Sequence, residues 1–166
     1  MLALPLAALG GWFAATRFTD RALLRAVAAV AWALAPSLLD ALISGRPTVV
    51  IAHLLLPWLV WTGAVAQRSW SAAGVASIVA VGVVACAPSV GPALAIVWII
   101  GIVLTAALRR GRGIARIIWL AVPTAVVFAP LLWHRVRTGD LWSLLADPGV
   151  PLADSGGTCL LYTSDA

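Results

Sequence analysis

Two small groups of ionisable residues carry the chemistry open to this sequence. In the first, Asp40 stands six residues before Arg46 and His53 seven after it. A tight helical turn at Ser44-Gly45-Arg46-Pro47 would place both side chains about 9 to 10 Å below the turn, within reach of one another. An ionisable group inside a membrane span costs roughly 2.5 to 3.5 kcal/mol at mid-membrane on insertion scales, so it needs a partner or a water-filled cavity. Two readings stay open. One is a structural clamp, with Asp40 pairing with Arg46 near the interface and His53 bonding a neighbouring helix. The other is a polar substrate or proton site inside the membrane.

The second group is Asp140 and Asp147. Around them Leu141, Trp142, Leu144 and Leu145 fit a short amphipathic helix lying at the interface, capped by Thr138 or Asp140 and stopped by Asp147-Pro148-Gly149. As carboxylates, the pair would bind a sugar or polarise an acceptor hydroxyl. As structure, they are a helix cap and a turn former.

The remaining motifs are absences. The sequence has no phosphate-binding loop with its Lys, no Asp-x-Asp metal clamp, no Ser/His/Asp spacing and no Cys/His cluster, so neither a metal nor another cofactor is expected. The two cysteines, Cys86 and Cys159, offer no disulfide framework.

The elements that must position these residues are apolar. Hydrophobic residues make up 63% of the 166-residue chain and charged ones 10%, against about 45–50% and 25% in soluble domains. With a mean hydropathy of +1.04, a soluble globule is excluded, and an all-α, polytopic transmembrane bundle is expected. Arg, Pro and Gly punctuation gives a short first segment at about 2–16, then full spans near 22–44, 47–66, 71–88, 90–108 and 114–133. Each of those five is long enough to cross a ~30 Å hydrocarbon core. Alternation in blocks of about ten, the mark of barrel strands, is missing. Pro36, Pro57, Pro123 and Pro130 fall within spans and favour kinks.

All eleven basic residues are Arg and all six acidic ones Asp, a net charge of +5. The arginines sit singly or in short clusters between spans, which makes them topology determinants, not a nucleic-acid surface. Arg17–Arg25, Arg68 and Arg109–Arg116 put eight on one side, and Arg46, Arg135 and Arg137 put three on the other. The positive-inside rule predicts the first side to be cytoplasmic in a bacterial plasma membrane and residues 134–153 to be extracytoplasmic.

Both ends need separate treatment. Back-translated, residues 159–166 resemble the mosaic end of a transposase-based sequencing adaptor read in frame, so residues 154–166 are expected to be a non-native or disordered tail. Met1 leads straight into an apolar segment with no basic flank, which points to an internal fragment with more chain on both sides.

At Trp12-Phe13-Ala14-Ala15-Thr16-Arg17, Pro36, Ser44-Gly45-Arg46, Ala52-His53-Leu54-Leu55-Leu56-Pro57 and Leu144-Leu145-Ala146-Asp147-Pro148-Gly149, the chain resembles the multi-spanning region of large actinobacterial family 2 glycosyltransferases. The likeness covers roughly residues 3–153. It implies a membrane region that follows a cytoplasmic nucleotide-sugar transferase domain, a part in building cell-envelope glycans, and contact with the bilayer and a lipid-linked glycan. The transferase domain with its acidic metal-binding motif is missing from this sequence, so no catalytic residue is carried over. Two other readings compete: a transporter or permease fragment with its site near Asp40 and His53, and a membrane transferase that uses Asp140 or Asp147 on a lipid-phosphate sugar donor.

Overall fold

The computed structural model describes residues 2–66, 68–107 and 111–139. Among them every regular element is helical: α1 (Ala3–Ala15), α2 (Ala22–Ala33), α3 (Pro36–Ile43), α4 (Pro47–Ala66), α5 (Trp70–Cys86), α6 (Gly91–Ala107) and α7 (Gly111–Thr138). A single 3-10 turn, Pro88–Val90, leads into α6. Among the described residues four stretches are long and apolar enough to cross a membrane: Ala22–Ile43, Pro47–Ala66, Pro88–Ala107 and Ala115–Thr138. Helices α1 and α5 are apolar but shorter, at 13 and 17 residues.

The departures from the expected spans have local causes. The span near 22–44 is two helices. Pro36 offers no N–H and disfavours helical geometry at the residue before it, and Ala35 is accordingly extended at φ −56° and ψ 132°. Pro88 acts in the same way on Ala87, at φ −143° and ψ 80°, so α5 stops at Cys86. Pro57, Pro123 and Pro130 lie inside unbroken helices. Helix α7 runs five residues past the expected end at 133, through Arg135 and Arg137. Basic side chains suit a helix C-terminus and keep their charged heads in water, so they do not end the helix where the apolar stretch ends. Arg137 lies over the Trp133 ring, 4.9 Å from its centroid. The Thr138 hydroxyl donates back to the carbonyls of His134 and Arg135, at 3.2 and 3.1 Å. Gly139, at φ 73°, then closes α7.

Helix α4 is the hub, packed on α1, α3 and α5, while α5 also packs along α7. Most of what these helices bury is small: Ala7, Gly10, Gly11 and Ala15 on α1, Ala29 and Ala33 on α2, and Ala73, Ala76, Ser77 and Ala80 on α5, with Leu38 on α3 and Val83 on α5 the larger fully buried side chains. Between helices in hydrocarbon, lipid tails match Leu in apolarity, so association rests on close van der Waals approach, which small residues permit. The larger side chains face outward, among them Ile96, Val97, Val103, Val126 and Trp133. Helix α6 is peripheral, with Thr105 its one buried residue, and Trp98 Nε1 donates to the Ile117 carbonyl of α7 at 2.7 Å.

Gly11 marks the tightest approach. A Cβ there would lie 2.9 Å from the Trp32 Cβ and 3.2 Å from the Ala29 Cα. Gly11→Leu is therefore expected to destabilise the bundle by about 1–3 kcal/mol, through overpacking at the α1–α2 contact. Gly63→Ala, where nothing lies within 4 Å, should be neutral or slightly stabilising. Thermal unfolding of both variants in detergent, followed by far-UV circular dichroism, checks this; equal midpoints would refute the close-packing account.

Candidate functional site

The first polar group expected from sequence lies where α3 turns into α4. Ser44 ends α3, Gly45 takes the left-handed conformation at φ 65°, and Arg46 N–H donates to the Ala41 carbonyl at 2.9 Å. That six-to-one bond is the signature of a Schellman turn, and φ > 0 at its centre explains a glycine there. Pro47 then starts α4, where a missing N–H costs nothing.

Asp40 and Arg46 are brought together across this turn. Arg46 Nη2 donates to Asp40 Oδ2, and its Nε donates to Ser44 Oγ at 2.8 Å. Ser44 Oγ in turn donates to the Asp40 carbonyl at 2.6 Å. The Asp40 side chain stays 67% exposed and that of Arg46 29%. An ion pair this open stabilises by at most about 1 kcal/mol.

His53 has a different partner. Buried at 6% exposure on α4, it stacks on the Trp32 ring with centroids 4.4 Å apart and planes 22° from parallel. Its Nε2 lies 3.0 Å from the Trp32 carbonyl oxygen. A carbonyl only accepts, so Nε2 carries the proton and donates. The reason this carbonyl needs a donor lies four residues on: in a continuous helix Trp32 C=O would accept from residue 36, and residue 36 is proline. The remaining intrahelical donor, Ala35 N–H, is long at 3.3 Å. His53 thus supplies the bond that Pro36 removes. Asp40 and His53 do not bond one another, and a carboxylate–imidazole dyad is not formed.

Next to this pair α1, α2 and α4 enclose a cleft of about 320 Å³, bounded on one side by Gly11, Ala14 and Ala15 and on the other by Trp32, Pro57 and Val60. Gly10 accommodates Pro57, whose ring carbons would be 3.1 Å from a Cβ. Phe13 stacks on Trp58 at 5.7 Å, and Arg17 lies over the Trp61 ring at 4.6 Å. Sequence reading missed this cleft and its Trp32. The proline four residues later was the available signal for the orphaned carbonyl. Nothing local foretold the Arg17–Trp61 contact, which joins α4 to the α1–α2 connection. Asp140 and Asp147, with their expected interfacial helix, lie outside the described residues. Among the described residues no three His, Cys, Asp or Glu side chains converge as a metal site would need.

The fold and this corner define an all-α bundle of apolar helices suited to a lipid bilayer. No protein-family model, curated protein or solved structure matches the chain.

The role given to His53 has a quantitative consequence. His53→Ala should cost about 1–3 kcal/mol, because it leaves a buried carbonyl short of its donor. In a Pro36→Ala background, where residue 36 regains an N–H, the same change should cost less, with a coupling of about 0.5–2 kcal/mol. A double-mutant cycle of unfolding free energies measures it; zero coupling would disprove the link. Asp40→Asn, by contrast, should cost less than about 1 kcal/mol in the same assay.

Proposed function

We propose that this chain is part of the membrane region of an envelope-glycan glycosyltransferase, anchoring the enzyme and accommodating a lipid-linked acceptor, with the sugar-transfer chemistry supplied by another part of the protein. One observation carries the reading. Of the sequence patterns that resemble the family, Ser44–Arg46 forms the turn at the start of α4, while Trp12–Arg17, Pro36 and Ala52–Pro57 lie far apart along the chain yet build one corner of the bundle. Within it Phe13 meets Trp58, Gly10 meets Pro57, and His53 supports the carbonyl opposite Pro36. A shared sequence pattern whose members converge in space answers a structural need, here a proline-broken helix held against an open apolar cleft.

The orientation proposed with it places the Arg17–Arg25, Arg68 and Arg109–Arg116 connections in the cytoplasm, because basic residues are retained on that side during insertion. The transporter reading would use Asp40 and His53 together. Their separate partners, Arg46 and Trp32, give that use no support.

Two measurements test the proposal. Sequencing the parent locus upstream of residue 1 should reveal an in-frame cytoplasmic domain with an Asp-x-Asp motif; a different upstream domain would overturn the assignment. Alkaline phosphatase fused after Gly45 or Gly139 should be active, and after Arg68 inactive. The reverse pattern would invert the topology.

A further inference from the structure

We infer that the cleft between α1, α2 and α4 is a binding site for an anionic phospholipid, with one acyl chain in the cleft and the phosphate at the arginines of the α1–α2 connection. The inference rests on the bilayer-spanning part of the proposal above and not on the transferase part.

Three observations select this occupant. First, the wall is apolar and concave, formed by Ala14, Ala28, Trp32, Pro57 and Val60, so it takes a hydrocarbon chain and offers nothing to a polar solute. Second, the mouth is cationic. Phe18 and Thr19 line the end of the cleft nearest the connection, and they lie between Arg17 and Arg21 in the chain, with Arg25 donating from Nε to the Thr19 carbonyl at 2.8 Å. Asp20 is engaged by Arg25 at 3.1 Å. Arg17 and Arg21 remain exposed, with Arg17 held over Trp61. A basic mouth on an interhelical apolar pocket is the arrangement that binds lipid phosphate head groups. Third, the depth matches one leaflet. The α2 wall of the cleft runs from Leu24 to Trp32, eight residues, or about 12 Å. That lies within one leaflet of a ~30 Å hydrocarbon core. A lipid chain of one leaflet fills that depth, whereas a long polyisoprenoid would overrun it.

The test uses the full 166-residue chain in phosphatidylcholine vesicles that carry trace spin-labelled phosphatidylglycerol or spin-labelled phosphatidylcholine. Electron paramagnetic resonance then reads the motionally restricted fraction of each label. The expected result is preferential restriction of phosphatidylglycerol. Arg21→Gln should lower that preference about fivefold, the effect of removing one arginine near a membrane surface. Added salt should lower it in the unaltered chain, because exposed charges are screened. Ala28→Trp, which fills the cleft, should abolish the preference, and Arg68→Gln, on another connection, should leave it unchanged. Circular dichroism confirms that each variant is helical. Equal restriction of both labels, or a preference that survives both Arg21→Gln and Ala28→Trp, would overturn the site. Displacement of the labelled phospholipid by an equimolar polyisoprenyl phosphate would also overturn it, giving the cleft to a carrier lipid. A chain extracted from the vesicles by alkaline carbonate would sink the membrane reading itself; an integral chain with no lipid preference sinks this inference alone.

Discussion

A helix that crosses hydrocarbon has to satisfy its own carbonyls, and at Trp32 Pro36 removes the usual donor, leaving only the long bond from Ala35 N–H. The stronger donor comes from another helix, from His53. The bond fixes more than one atom pair. It ties α4 to the C-terminal end of α2, just before the break at Leu34-Ala35, and accompanies the stack of the imidazole on the indole at 4.4 Å. Trp32 Nε1 has no partner among the described residues. The indole is therefore placed by its stack and its backbone, not by its own polar handle.

The same corner depends on an absence of side chains. Gly10 yields to the Pro57 ring, and Gly11 yields to Trp32. The kink-prone element of α4 and the broken end of α2 are thus both met by α1, with a pair of adjacent glycines. Beyond this corner the packing loosens toward α6, which presents Ile96, Val97, Ile99 and Ile100 outward. Its tie to α7 is the Trp98 indole, donating to a carbonyl in the interior of that helix. A second interhelical bond to a backbone oxygen thus appears at the periphery, where shared apolar surface is smallest.

Much of the helical plan was legible in the chain, because apolar run length and Arg, Pro and Gly punctuation act locally. The span near 47–66 coincides with α4, and the Ser44-Gly45-Arg46-Pro47 turn has the geometry its residues demand. Where the reading and the structure part, a boundary depends on something other than apolarity. Arg135 and Arg137 continue α7 because a guanidinium tolerates a helix end that an apolar window excludes. Pro36 divides its helix while Pro57, Pro123 and Pro130 do not; for Pro57 a neighbour is on hand, since it is buried against Gly10, a partner 47 residues away in sequence. At the site, the pairing of Asp40 with Arg46 follows from six-residue spacing around a tight turn. The pairing of His53 with Trp32 spans 21 residues and two helices, and only the rule that proline orphans the fourth carbonyl behind it points that way.

The turn at Gly45 also bears on how the bundle is assembled. Between Ile43 and Pro47 only Ser44, Gly45 and Arg46 lie outside helix, too short a tether for one arm to enter the bilayer while the other waits in water. The two arms must partition as a single hairpin, with the Arg46 charge left at its tip. The break at Leu34-Ala35 is then carried into hydrocarbon within the leading arm, and the Trp32 carbonyl before it arrives already accompanied by the histidine of the trailing one. Insertion and the repair of the proline defect become one event during biogenesis.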